Sequence, residues 1–125
     1  KTNQQLETSK SNVFALGDCA EVCGHVLVYV APLMAAAKAL AQTLSGQSTD
    51  VKYPAMPVTI KTPICPVVVS PPQKNSEGAW STVEQGLNIR AEYRNSSGDL
   101  LGFALTGDAT KARMELQKLL PPILL

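Results

Sequence analysis

The stretch LNIRAEYRNSSGDLLGFALTG, residues 87–107, decides the fold class of this chain. Leu87, Ile89, Ala91 and Tyr93 alternate with Asn88, Arg90, Glu92 and Arg94, the two-residue period of a strand with one apolar and one wet face. Residues 95–99, NSSGD, have the composition of a hairpin loop, and Leu101, Phe103 and Leu105 then return as the next strand. An antiparallel pair is therefore expected, and the flanking sequence extends it.

Downstream, Asp108 is placed to cap a helix in which Ala109, Ala112, Leu116 and Leu119 share a face, and Pro121-Pro122 ends it. Upstream, Trp80, Thr82 and Glu84 oppose Ala79, Ser81 and Val83 in a weaker strand. Met56, Val58 and Ile60 alternate with Thr59 and Lys61. Residues 62–72, TPICPVVVSPP, carry Pro63, Pro66, Pro71 and Pro72, which belong on an edge or bulged strand. The second half, residues 51–125, thus reads as a small antiparallel sheet with a C-terminal helix, an α+β unit joined to the first half by the polar linker 45–55.

Residues 1–50 follow a different pattern. Residues 13–16 form a short apolar run closed by Gly17 and Asp18, which suits a buried strand of a parallel sheet. A helix follows, with Pro32 in its first turn, Leu33, Ala37, Leu40 and Leu44 on one face, Ala35, Ala36 and Ala39 on the other, and Gly46 as its stop. A strand, a Gly-Asp turn and a helix make a β-to-α unit with nothing inside the chain to pack on. The chain also starts at Lys1 without Met, so it reads as part of a longer protein, and the exposed apolar face of the helix is expected to drive self-association as a dimer.

Composition narrows the function. With 45% hydrophobic and 17% charged residues among 125, a core can form. The net charge of +1 comes from dispersed Lys and Arg, which argues against a nucleic-acid or membrane-binding surface. The longest uncharged stretch, residues 26–37, is too short to span a bilayer and is divided by Pro32, and no signal pattern opens the chain. A cytoplasmic protein with reduced Cys19, Cys23 and Cys65 is the expectation. These thiols with His25 do not make the paired spacing of a zinc site, and no nucleophile constellation surrounds His25, so neither a metal site nor a catalytic residue is assigned.

Gly17-Asp18 carries two readings. A carboxylate at the carboxyl end of a parallel strand lies where open α/β sheets bind ligands, and it accepts hydrogen bonds from sugar or sugar-alcohol hydroxyls. Equally, Gly-Asp is a common strand-end turn. The helix start near Pro32 adds unpaired N–H groups and a positive dipole end that favour negative charge.

Thr8 followed by residues 13–18, VFALGD, resembles the C-terminal flavin-binding motif of the FAD-dependent pyridine nucleotide-disulfide oxidoreductases. The continuation GDCAEV, the helix YVAPLMAAAKALAQTLSG, the stretch YPAMPVTIKTPICPVVVSPP and LLGFALTG are similar to the rubredoxin reductases of that family. The resemblance implies the strand–helix tail of a Rossmann-like FAD domain in residues 1–50 and an interface domain in residues 51–125. It implies that Gly17 and Asp18 meet the ribityl or pyrophosphate part of FAD. The helix start, Val30, Ala31, Pro32 and Leu33, would then meet the pyrimidine edge of the flavin, with Lys61 near the ring or the acidic rubredoxin. The whole oxidoreductase would pass electrons from NADH through FAD to rubredoxin. The glycine-rich units for FAD and NADH are absent from these residues, so the fragment alone is expected to be inactive and not to retain FAD. A ferredoxin reductase component of a dioxygenase, a flavorubredoxin reductase and a stand-alone interaction domain are the alternatives.

Overall fold

A five-stranded antiparallel sheet, in the order β1-β2-β5-β4-β3, organises the second half of the chain in the computed structural model, which describes residues 1–125. Its strands are β1 (Val58–Ile60), β2 (Val67–Ser70), β3 (Ala79–Gln85), β4 (Asn88–Arg94) and β5 (Leu100–Thr106), followed by a 3₁₀ turn (Gly107–Ala112) and helix α2 (Arg113–Leu119). The expected β4–β5 hairpin forms through Asn95, whose side-chain Oδ1 accepts from the N–H groups of Ser97 and Asp99. A second hairpin joins β3 to β4 through Gly86 and Leu87. Gly86, at φ 61°, supplies the positive dihedral such a two-residue turn needs.

The core of this unit is Val68, Leu100, Phe103, Leu105 and Leu116, with Ala109, Ala112 and Leu120 packed against it. Leu120, not the expected Leu119, packs on the core: it follows Leu116 by four residues, in line with Ala112, while Leu119 is 55% exposed. A register shift at Tyr93/Arg94 pairs Arg94 with Leu100, so Leu101 is bypassed and Leu100 enters the core in its place.

Three further expectations are corrected. The proline-rich segment is not an edge: β2 lies between β1 and β5, and its prolines bound the strand without interrupting its ladder. Asp108 does not cap the helix; its side chain pairs with Lys111 at 2.6 Å, and its own N–H donates to Asn88 Oδ1 at 2.8 Å. Asn88 reaches this position because Gly107 has no Cβ, which would stand 2.9 Å from the Leu87 carbonyl oxygen.

The third correction concerns β4. Register pairs Glu92 with Phe103 and Arg90 with Leu105, so the charged row shares the face that α2 covers, while Ile89, Ala91 and Tyr93 lie on the other. The charges are reconciled by mutual pairing. Arg90 and Arg94 each place a guanidinium nitrogen 2.6 Å from the Glu92 carboxylate, which is only 12% exposed. Burial raises the Glu92 pKa, but the hydrogen bonds and charges of both arginines outweigh it and hold the carboxyl below its ordinary range.

The chain divides into two compact units, Lys1–Pro54 with Leu124–Leu125, and Ala55–Ile123. In the first, helix α1 (Val30–Leu44) forms as expected, beginning two residues before Pro32. The buried parallel strand expected at residues 13–16 does not: Val13 is exposed and Phe14 makes only an isolated antiparallel bridge with Glu7. A strand needs a ladder, and residues 6–8 supply a single pairing. Helix α1 packs through Pro32, Ala36 and Ala39, not through the leucine face; Leu33 and Leu44 remain exposed. Small side chains let the helix backbone approach Leu6, Ala20, Val22, Val51 and Tyr53, which with them are the buried apolar residues of this unit.

Leu116→Ala should lower stability by about 2–5 kcal/mol, whereas Leu119→Ala should leave it within about 0.5 kcal/mol, as read by urea unfolding monitored through Trp80. Because Glu92 ionises more readily in the folded chain than in the unfolded one, its contribution is complete above the ordinary glutamate range. It is lost as pH falls through the lowered folded value. Glu92→Gln should flatten that acid dependence in a pH series of unfolding midpoints.

Candidate functional site

The turn after residues 13–16 and the start of α1 meet within the first unit. Gly17 adopts φ +84°, and a Cβ there would lie 3.3 Å from Leu33 Cδ1, so the glycine both allows the turn and brings it against the helix. The Gly17 carbonyl accepts from the Ala20 N–H at 3.0 Å, closing the turn and leaving Asp18 exposed at its outer side.

Four site residues named from sequence stand at the helix start. Val30 and Ala31 are exposed, Pro32 is buried and Leu33 is at the surface beside Gly17. Tyr29 precedes them in an extended conformation without a side-chain cap on the helix, and no acidic residue occupies the first turn. The positive end of the α1 dipole is therefore not compensated by an N-cap side chain or by a carboxylate of the helix's own first turn. Lys61, the remaining candidate, follows β1 in the other unit and is exposed.

Beneath the turn lies a cavity of about 10 Å³ lined by Gly17, Ala20, Val22, His25, Leu27, Pro32, Leu33 and Tyr53. Such a space holds at most one water, so a larger ligand would lie on the outer surface of the turn. Tyr53 and His25 were not found from sequence as part of this environment. Tyr53 is almost fully buried, and burial, with the Cys23 side chain adding, pushes its phenol above the ordinary tyrosine value. The available signal was the alternation of buried Val51 and Tyr53 with exposed Lys52 and Pro54, inside a segment read as a linker.

His25 closes a tight turn with Val22, in which Cys23 and Gly24 both take positive φ, 48° and 86°. All three thiols are free, and no group of three or more His, Cys, Asp or Glu side chains stands together as a metal site. No helix is long and apolar enough to cross a membrane.

Residues 50–120 match the family described as the rubredoxin binding C-terminal domain. The chain belongs to the rubredoxin-binding C-terminal domain family. The match covers the sheet and α2. Among curated relatives, a Rubredoxin-NAD(+) reductase of Alcanivorax borkumensis is 57% identical over 98% of this chain, and one of Acinetobacter baylyi is 45% identical over 98%. A nitric oxide reductase FlRd-NAD(+) reductase of Aeromonas salmonicida is 37% identical over 95%. The chain spans about a third of the length of these relatives: 32%, 32% and 31%. The NADH:rubredoxin oxidoreductase of Clostridium acetobutylicum has a similar fold, with a TM-score of 0.74 at 17% identity, over 94% of this chain and 31% of the other.

Gly17→Val should destabilise the chain by about 1–2 kcal/mol through its left-handed backbone, with further crowding against Leu33. Asp18→Ala, at an exposed position, should leave the thermal midpoint unchanged. Melting curves followed by circular dichroism check both.

Proposed function

We propose that this chain is the C-terminal part of a cytoplasmic FAD-dependent oxidoreductase that passes electrons from NADH through FAD to rubredoxin. In this reading, residues 1–50 are the end of the Rossmann-like FAD domain and residues 51–125 the interface domain that receives rubredoxin. The observation that carries it is the rubredoxin-binding family match over residues 50–120. Similarity to Rubredoxin-NAD(+) reductases over nearly the whole chain supports the same acceptor. The 37% identity to a flavorubredoxin-type reductase supports a second reading, with a different rubredoxin-containing acceptor and the same flavin chemistry.

The residues around the first turn suit FAD. Asp18 offers an exposed carboxylate to ribityl hydroxyls, and Gly17 keeps the approach free of a side chain. At the α1 start, the N–H groups of Val30 and Ala31, which precede the first intrahelical hydrogen bond, favour an electron-rich edge, while Pro32 has no N–H to offer and anchors the helix beside Leu33. Bound here, FAD would supply hydride acceptance and single-electron release; the α1 terminus would favour its reduced, more negative state, and Lys61, in the other unit, would offer positive charge to the ring or to the acidic partner. The exposed side chains of Val30, Met34 and Leu44 are where the remainder of the FAD domain would pack, and they would make the chain self-associate in its absence.

The test extends the chain through its reading frame to the length of its relatives and records the visible spectrum before and after anaerobic NADH, then after oxidised rubredoxin. Flavin colour bleached by NADH, restored by rubredoxin and largely lost in Asp18→Ala is the expected result. A colourless protein that stays so with added FAD would overturn the reading. Colour restored by a flavorubredoxin acceptor and not by rubredoxin would select the second.

A further inference from the structure

The sheet leaves one long edge open. Strand β3 is paired with β4 over all seven of its residues and has no neighbour on its other side, whereas the opposite edge is the three-residue β1. Every β3 residue is exposed, including Trp80 at 49% and Val83 at 62%. Edges are protected by charged side chains, lysine above all, by proline, by a bulge or by a covering element, and of these β3 carries only the single charge of Glu84. The sequence of β3, AWSTVEQ, has neither lysine nor proline, and its register with β4 runs unbroken from Ala79↔Arg94 to Gln85↔Asn88.

The pairing fixes which backbone groups are available. The two-residue turn at Gly86 and Leu87 makes Gln85 and Asn88 the closing hydrogen-bonded pair, so Gln85, Val83, Ser81 and Ala79 direct their N–H and C=O groups toward β4. Trp80, Thr82 and Glu84 then direct theirs outward, and this outward set is symmetric about Thr82. We propose that two copies of the chain join through β3, antiparallel, about a twofold axis at Thr82. Thr82 exchanges both backbone hydrogen bonds with Thr82 of the second copy, and Trp80 does so with Glu84 of the second copy, twice by symmetry.

A second copy is the fitting occupant because this register is self-complementary. Glu84, the only ionisable residue of β3, meets Trp80 and never its own counterpart, so no like charges face each other. Ser81 opposes Val83 and Ala79 opposes Gln85 in the pairs where side chains approach closest, which removes Val83 from water. This contact involves the sheet alone and does not depend on the flavin reading.

Sedimentation of the full 125-residue chain across a concentration series tests the proposal, with Trp80, the only tryptophan, as the optical probe. With Met34→Lys and Leu44→Lys removing the association proposed above for the exposed face of α1, the expected result is a reversible dimer whose tryptophan emission moves to the red on dilution. Thr82→Pro removes an outward donor while leaving β4 its partners, and should weaken dimerisation about tenfold or more. With Cys19, Cys23 and Cys65 changed to Ser, Thr82→Cys should form a covalent dimer under mild oxidation far more readily than Trp80→Cys, since only a residue on the axis faces itself. A monomer at every concentration would overturn the proposal. So would a dimer in which Thr82→Cys crosslinks no better than Trp80→Cys, because the contact would then lie elsewhere.

Discussion

Pairing on both sides of β5 is the constraint on which the second unit rests. Leu105 lies opposite Val68 on one flank and Arg90 on the other, and Phe103 lies opposite Ser70 and Glu92. With both flanks occupied, the inward row of β5 can be covered only from above, and Leu116 of α2 does so; Phe103, Leu105 and Leu116 have no solvent exposure. Gly102, on the opposite row, completes the arrangement. A Cβ there would stand 2.6 Å from the Pro72 nitrogen and 2.8 Å from the Ser70 oxygen, so the chain leaving β2 can cross only over a glycine.

The same pairing explains the charged row beside an apolar core. Once β5 turns Phe103 and Leu105 toward α2, register forces Glu92 and Arg90 onto that face. The half-buried carboxylate is then tolerable only because two guanidinium groups converge on it. Arg94 also donates to the Gly98 carbonyl at 2.7 Å, so this ionic row is tied to the β4–β5 loop.

The first unit solves a different problem with fewer large side chains. Its helix docks through alanines, its glycine turn rests on Leu33, and Tyr53 fills the space beneath. This arrangement keeps Asp18 and the helix start at the surface, where the proposed flavin function needs them. Leu6 takes φ 67° with its side chain fully buried, a backbone cost that the packing of this small unit must offset.

What the sequence alone determined was local: the antiparallel sheet with its C-terminal helix, the β4–β5 loop at NSSGD, the position of α1, and the Gly17-Asp18 turn beside a helix start. Each follows from side-chain period or from the dihedral freedom of glycine, which neighbouring residues specify. Only the tertiary structure decided which faces are buried. The alternation of β4 separates its charged from its apolar row without saying which one meets α2, and the leucine and alanine faces of α1 were equally visible until packing selected the smaller. Asn88 beneath the 3₁₀ turn and Tyr53 beneath Gly17 were likewise illegible, since their partners lie 20 or more residues away in the chain. Side-chain period is a property of a segment, whereas burial is a property of what packs against it.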